Sequence, residues 1–380
     1  GMDKGAVFTA TALSAILGCL LMAFLANYPI AIAPGLGDNA FFTYSVVLAM
    51  GIKWQTALAG VVVASIIFTI LTFFKIREIV INAIPHNLKL AMAAGIGMFI
   101  AFIGLQGGGL VVASKSSLVQ LGSLTVPTTW LTIFGLFVTA LLMARKVPGS
   151  IFIGIVATAI LGLVTGLIKA PSQIVSSIPS MKPTFAVGIK HLGDVNTPQM
   201  WAVVLIFLLV AFFDTAGTLI GLAQQAGLMK NDKMPRIGQA LMADSVSMLA
   251  GSVMGTTPTA AYVESSAGIA VGGRTGFTAL VVAVLFGFGM FFSPLLSVVT
   301  TQVTAPALII VGALMAQSLK EIEWDKFEIA LPAFLTVIAF LIYPITMIAA
   351  GRKKELNPVV IALFFVFIIM LYVLNVLPSK

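Results

Sequence analysis

The stretch "ADSVSMLAGSVMGTTPTAAYVESSAGIAVGGRTG", residues 243–276, decides the fold, because it is too apolar for a surface loop and too interrupted for one continuous membrane helix. It carries two carboxylates, Asp244 and Glu264, together with Pro258 and several glycines. Proline and glycine interrupt helices. Irregular backbone at membrane depth is tolerated only where protein or a water-filled cavity satisfies its polar groups. The stretch therefore indicates a site inside a membrane protein.

Composition supports the membrane assignment. The chain has 380 residues, of which 59% are hydrophobic and 9% are charged. Apolar runs of about 20 residues, the length that spans a bilayer, recur along it. We predict an all-α polytopic membrane protein and exclude a soluble domain. The net charge of +8 lies in short clusters between apolar runs. That pattern is typical of the positive-inside rule and does not indicate a nucleic-acid partner.

The apolar runs divide the chain into two halves. Residues 169–198 contain four prolines and predict a linker between a first repeat, 1–168, and a second repeat, 199–380. Two segments, 29–50 and 256–272, are interrupted by proline and glycine. We predict uninterrupted spans at residues 6–27, 54–74, 88–106, 129–145, 149–168, 199–222, 236–254, 276–297, 303–319, 328–349 and 357–377.

Basic residues set the predicted orientation. The stretch 75–89, with Lys75, Arg77 and Lys89, is expected to be cytoplasmic. Residues 75–90 are expected to form an amphipathic helix at the membrane interface. The cluster "GRKKE" at 351–355 breaks the alternation. A single crossing over residues 328–350 would place that cluster outside.

The two interrupted segments have the same pattern. In "NYPIAIAPGLGDNAFFTYSVVLAMG", residues 27–51, Asp38 or Asn39 is expected to cap a short helix. In the second segment Thr257 is expected to be the cap, Pro258 the first helical residue, and the helix to continue through Glu264. Each would be an extended piece that leads into a half-helix. One such segment in each half favours a transporter site.

Four carboxylates lie in or beside these spans: Asp38, Asp214, Asp244 and Glu264. A charged carboxylate at the bilayer centre costs at least about 2.5–3.5 kcal/mol, so such a residue marks a functional site by default. Two of them have strong structural alternatives: Asp38 as a helix cap and Asp244 as a hydrogen-bonding residue between helices. The structural alternative is weaker for Asp214 and Glu264.

Other chemistry is largely excluded. One cysteine, Cys19, and two histidines, His86 and His191, favour neither a disulfide nor a metal site. The glycine-rich "GIAVGGRTG" matches no nucleotide-binding motif. We expect no cofactor and no enzyme activity, so transport would draw on an ion gradient or run downhill.

Three motifs carry a family resemblance: "APGLGDNAFFTYSVV", "FFDTAGTLIGLA" and "GTTPTAAYVESSAGIAVGGRTG". With them the sequence resembles the AzgA-like purine permeases of the nucleobase–cation symporter 2 group, and among these the bacterial hypoxanthine/guanine permeases. The resemblance implies two inverted seven-helix repeats with core and gate domains, in which the two broken segments meet near the midplane. It also implies proton symport across a bacterial inner membrane, and a homodimer through the gate domain.

The resemblance further implies which residues bind the purine. They are Asn39 of the first broken segment, Asp214, and Glu264, and we add Thr257 to the substrate-binding set. We expect Glu264 to be the principal acceptor for the purine edge. Asp214 is expected to be the main proton-coupling group, with Glu264 as the second.

The sequence departs from the family in two places. A first span is expected before Gly1, and residues 335–347 read as shortened near 340–343. Four alternatives remain open: a carrier of adenine or another nucleobase, a sulfate-type anion carrier, an intramembrane enzyme, and a folded but inactive truncated fragment. An anion carrier would call for basic residues at the broken helices, and an enzyme for a nucleophile or metal ligands.

Overall fold

A computed structural model describes residues 1–77, 86–114, 118–171, 173–229, 234–270 and 272–349. Helices dominate these residues, and four short strands accompany them. In the first half the elements are α1 (Lys4–Leu21), β1 (Ile32–Pro34), α2 (Leu36–Ala40), α3 (Trp54–Phe73), α4 (His86–Gly107), β2 (Val111–Ser114), β3 (Leu118–Leu121), α5 (Pro127–Ala144) and α6 (Ser150–Val164). In the second half they are α7 (Val187–Lys190), α8 (Pro198–Gln225), α9 (Ile237–Met254), β4 (Thr259–Ala261), α10 (Ser265–Ala270), α11 (Gly276–Gly289), α12 (Thr301–Ala316) and α13 (Phe327–Ala349).

Helices lie at every predicted span that the structure describes. By length and composition, six helical segments in the described residues can cross a membrane: Lys4–Ala26, Trp54–Phe73, Pro127–Ala144, Pro198–Ala223, Gly276–Leu295 and Thr301–Glu321. The membrane-protein class is therefore confirmed. The predicted span 357–377 and the cluster at 351–355 lie outside the described residues.

The chain forms two compact units, and each draws on both halves of the sequence. Unit 1 contains described residues within 1–77 and 175–293, and unit 2 contains those within 86–174 and 294–349. The predicted linker 169–198 is divided between them, and it contains α7 and a 3₁₀ turn, Leu192–Val195, both packed on α3 in unit 1. The two-repeat division of the sequence stays a prediction.

Unit 1 is built around the two interrupted segments, which meet as an antiparallel strand pair. Ile32 lies opposite Ala261, Ala33 opposite Ala260, and Pro34 opposite Thr259. All six of these residues are buried. The pairing gives the backbone of both breaks hydrogen-bond partners where the surroundings are apolar.

The predicted caps of both half-helices are wrong. Gly35 is the N-cap residue of α2, and Asp38 lies in the first helical turn. In the second segment the extended backbone continues to Ala261, so Thr257 and Pro258 precede a strand, and the helix begins only at Ser265. The antiparallel pairing with β1 overrides the local capping pattern, because it satisfies three residues of backbone on each strand.

Helix α1 closes over this strand pair at Gly18. A Cβ atom at Gly18 would lie 2.6 Å from Ser247 Oγ and 2.7 Å from Ile32 Cγ2. The Sγ atom of the neighbouring Cys19 lies 3.4 Å from both N and O of Ile32. Glycine therefore lets α1 approach both β1 and α9.

Unit 2 consists of helices and one hairpin. Helix α4 packs against α12 and α13, with a core that includes Ala91, Ala94, Ile322, Ala333 and Val337. Strands β2 and β3 pair as an antiparallel two-stranded sheet. This hairpin was not expected, and with the β1–β4 pair it corrects the all-α prediction to a mainly helical fold.

The close approach at Gly18 predicts the effect of adding one methyl group. Gly18→Ala is expected to destabilise the purified protein by about 1–3 kcal/mol, because overpacking a tight interface costs that much. The thermal unfolding midpoint in detergent should fall by at least about 2 °C. Gly287→Ala in α11 is the matched control, since its Cβ would meet only Ile16 Cδ1 at 4.0 Å. Equal midpoints for the two variants would contradict this account of the packing.

Candidate functional site

The β1–β4 pair brings the starts of two half-helices together in unit 1. Gly35 N donates to Pro258 O at 2.9 Å, and Tyr262 N donates to Ala31 O at 2.9 Å. The Tyr262 hydroxyl donates to Pro34 O at 2.6 Å, and Ala31 N donates to Ser265 Oγ at 3.0 Å. Two side chains of the second segment therefore bind the backbone of the first.

Asn39 and Thr257, both predicted to bind substrate, contact each other directly. Thr257 Oγ1 donates to Asn39 Oδ1 at 2.6 Å. Thr257 is buried, whereas Asn39 is half-buried. Because the amide oxygen of Asn39 is engaged, its Nδ2 group is the end left to donate to another molecule.

Asp214 and Asp38 lie at the N-terminus of α2. A Cβ atom on Gly35 would lie 2.7 Å from Asp38 Oδ2 and 3.6 Å from Asp214 Oδ2. Asp214 is half-buried, whereas Asp38 is fully buried. Neither oxygen of Asp38 has a hydrogen-bond partner among the described residues. The position of Asp38 excludes its predicted role as N-cap residue.

Glu264 lies between β4 and α10 and is exposed. With Tyr262 and Ser265 it lines a cavity of about 270 Å³, whose other walls are mainly apolar residues of the first interrupted segment and α11. Asn39, Thr257 and Asp214 are not among the described residues that line this cavity. The predicted site residues thus surround the strand pair but do not share one cavity wall.

Tyr262 connects these groups, although the sequence reasoning did not include it. It lies close enough to Glu264, Asp214 and Asp38 for their charges to act on its hydroxyl. Its position directly after β4, two residues before Glu264, was the available signal. An aromatic hydroxyl in an apolar segment usually finds a hydrogen-bond partner.

Asp244 lies in α9 and is paired with Arg77. Arg77 Nη2 lies 3.2 Å from Asp244 Oδ2, and both side chains are fully buried. The charge of Arg77 is thus satisfied inside unit 1, and the interfacial cytoplasmic helix stays a prediction. Most of that stretch, 78–85, lies outside the described residues.

Comparison with known proteins identifies a family. The sequence profile described as "Permease family" matches residues 2–354. The guanine/hypoxanthine permease PbuG of Bacillus subtilis is 54% identical over 97% of this chain and 87% of its own length. The adenine permease AdeQ of Escherichia coli is 40% identical over 97% of this chain and 86% of its own length. These matches confirm the resemblance drawn from the three motifs.

A solved structure supports the fold. The transmembrane domain of the cyanobacterial bicarbonate transporter BicA has a TM-score of 0.64 at 14% sequence identity. The similarity covers 91% of this chain and 94% of that domain. At this level of identity it establishes a shared fold.

The burial of Asp38 predicts a stabilising substitution. Asp38→Asn keeps the side-chain volume and removes an ionisable carboxyl that is buried without a hydrogen-bond partner among the described residues. We expect it to raise the thermal unfolding midpoint by about 2 °C or more, because a neutral amide is less costly to bury than a carboxyl that can ionise. The exposed Asp194→Asn is the control and should leave the midpoint unchanged. A lower midpoint for Asp38→Asn would show that the carboxyl itself stabilises the fold.

Proposed function

Because the chain belongs to the Permease family, we propose that it takes up the purine bases hypoxanthine and guanine together with protons. The chain is a multi-pass membrane protein and a transporter, not an enzyme. We place it in the bacterial inner membrane, as its relatives from Bacillus subtilis and Escherichia coli suggest. The proposal is carried by one observation: the paired strands collect an amide and three carboxyls in unit 1 of a chain closely similar to a guanine/hypoxanthine permease.

The donor and acceptor groups of the base match these side chains. Hypoxanthine and guanine present an N1–H donor, and guanine adds an exocyclic amine. A carboxylate accepts hydrogen bonds from both. Glu264 is the acceptor in this proposal, because it is exposed beside a cavity whose volume approaches the lower end of small-molecule pockets, about 300 Å³.

Asn39 forms the hydrogen bond to the other polar edge of the base in this proposal. Its oxygen accepts from Thr257, so its Nδ2 group donates to O6 or N7 of the purine. Adenine carries an amine donor at the same ring position as O6. An amide that donates to O6 in this orientation therefore favours a 6-oxopurine over adenine, since N7 is an acceptor in both kinds of base.

Asp214 is the main proton-coupling group in this proposal, with Glu264 as the second. Asp214 lies within a membrane helix beside the strand pair. Among the described residues no lysine or arginine forms an ion pair with it. A carboxyl without a counter-ion in an apolar environment is readily neutralised by a proton.

The finer architecture belongs to the same proposal. We infer two inverted seven-helix repeats, core and gate domains, alternating access, and a homodimer in the bilayer. The likeness to the BicA domain supports a transporter fold of this kind. Adenine transport is the second candidate function, favoured by the similarity to AdeQ.

Uptake measurements test the proposal. Cells that lack their own purine carriers and express the printed chain should accumulate radiolabelled hypoxanthine, with competition by guanine and loss of uptake under a protonophore. Glu264→Gln and Asp214→Asn should each lower uptake at least about tenfold, because a hydrogen bond to a charged group contributes about 1.5–3 kcal/mol. Glu264→Gln should act mainly on KM, and Asp214→Asn on the response to the proton gradient.

The control for both variants is Asp194→Asn, which should transport like the unmodified chain. Absence of uptake by the unmodified chain would favour the inactive-fragment alternative. Unchanged uptake and protonophore sensitivity in both carboxylate variants would contradict their assignment. Competition by adenine in preference to guanine would instead support the second candidate.

Substitution of Thr257 tests the orientation of the Asn39 amide. Thr257→Val removes the hydroxyl at nearly constant shape and is expected to raise the KM for hypoxanthine about threefold to tenfold, since one hydrogen bond contributes about 0.5–1.5 kcal/mol. Adenine should compete more effectively, because a freed amide can present its oxygen to the adenine amine. Thr257→Ser keeps the hydroxyl and should retain the selectivity of the unmodified chain. Identical selectivity in all three proteins would refute the orientation argument.

A further inference from the structure

Arg77 has more polar contacts than any other basic side chain described here, and none of the predicted roles uses them. It lies just beyond α3 and is fully buried. Its Nη2 atom contacts Asp244. Its Nη1 atom lies within hydrogen-bond distance of Ser245 Oγ at 2.8 Å, Leu241 O at 3.3 Å and Thr72 Oγ1 at 3.3 Å. The guanidinium therefore joins the end of α3 to one face of α9.

The guanidinium group also lies close to two aromatic rings. Its central carbon lies 3.6 Å from the ring centroid of Phe68, which is fully buried, and 5.8 Å from that of Phe212 in α8. Cations stack favourably on aromatic faces, and a planar guanidinium does so better than an ammonium group. The position of Arg77 is thus fixed by contacts with α3, α8 and α9.

Asp244 connects the ion pair to two elements of the transport site, β4 and α8. Its backbone oxygen accepts from Thr259 Oγ1 of β4 at 3.3 Å. Thr215, which follows Asp214 in α8, is fully buried beside the Asp244 carboxyl, although its hydroxyl meets hydrogen-bond geometry with no described atom. Both β4 and the Asp214 segment of α8 are therefore adjacent to the ion pair.

Asp244 differs from the other three site carboxyls in having a basic partner among the described residues. Asp38 and Asp214 lie close enough to Asp244 for their charges to interact with it. Within the described ranges, only Asp244 among the four site carboxyls forms an ion pair with a basic residue. The Arg77 guanidinium favours the charged form of Asp244, and removing either charge leaves the other without compensation.

We propose that Arg77 is a positioning residue of the transport site, which stabilises the charged form of Asp244 and through it holds β4 and α8 in place. Asp244 is then the fixed counter-ion of Arg77 and does not carry the transported proton. This inference rests on the proposed function, since positioning is defined by the transported base.

A set of four proteins tests it: the unmodified chain, Arg77→Met, Asp244→Asn, and the double variant. Each single variant is expected to lower hypoxanthine uptake at least about tenfold, because breaking a buried ion pair leaves an uncompensated charge. The double variant contains no such charge and should exceed either single variant at least about tenfold. Its dependence of uptake on external pH should have the shape of the unmodified chain.

Arg77→Lys separates positioning from simple stabilisation. It keeps the charge but loses the guanidinium geometry. Positioning predicts a normal amount of protein in the membrane and a raised KM for hypoxanthine, whereas a purely stabilising role predicts less protein with an unchanged KM. The exposed pair Glu323–Lys326 supplies the matched control. Glu323→Gln combined with Lys326→Met should change neither quantity.

Two results would overturn the inference. One is a folded double variant as inactive as the single variants. The other is an Asp244→Asn protein that transports with a flattened pH dependence, which would make Asp244 a proton carrier. If a single variant fails to accumulate in the membrane, the thermal unfolding midpoints of the remaining proteins test the inference instead. A double variant with a lower midpoint than Asp244→Asn alone would show that removing both charges does not compensate. No uptake by the unmodified chain would count against the proposed function, while the midpoints would still test the ion pair.

Discussion

The antiparallel pairing of three residues from each interrupted segment is the constraint on which unit 1 depends. Any break in a membrane helix exposes backbone N–H and C=O groups that apolar surroundings cannot satisfy. Ile32–Pro34 and Thr259–Ala261 provide backbone partners for each other, although more than 200 positions separate them in the sequence. Since β1 and β4 are both fully buried, neither break would be tolerated without the other.

The pairing also explains why the carboxyls gather at this place. Once the strands pair, α2 and α10 must begin next to them, and α8 and α9 pack against β4. Helix starts provide unpaired N–H groups and a positive dipole end, which favour nearby negative charge. Only one positive side chain in the described part of unit 1, Arg77, enters an ion pair there. The other site carboxyls form no ion pair among the described residues, which is why the proposed function assigns Asp214 and Glu264 to the proton and the substrate.

The sequence predicted the helical spans and the location of both breaks, because hydropathy and proline or glycine placement are local properties. It did not predict where extended backbone ends and helix begins. Thr257 and Pro258 have a good local capping pattern, yet their segment extends into β4 because β1 supplies a partner. The buried partner of Arg77 was missed for a related reason. The positive-inside rule counts charges along the chain, whereas the partner of Arg77 lies 167 positions away in α9.

Of the site, the residue types were predictable and their relationships were not. A carboxylate in an apolar span signals function by its cost alone, but the Thr257–Asn39 hydrogen bond appears only after the strands have paired. Under the proposed function, that bond bears on the choice between guanine or hypoxanthine and adenine, the bases for which two relatives are named. These bases have nearly the same shape, and a hydrophobic pocket distinguishes such isosteres poorly. Discrimination instead requires a polar group that is left unpaired by the wrong base. A free amide cannot supply this, because it can turn its oxygen or its nitrogen towards the ligand. Under the proposed function, selectivity therefore depends less on which residues touch the base than on which buried neighbours fix their orientation.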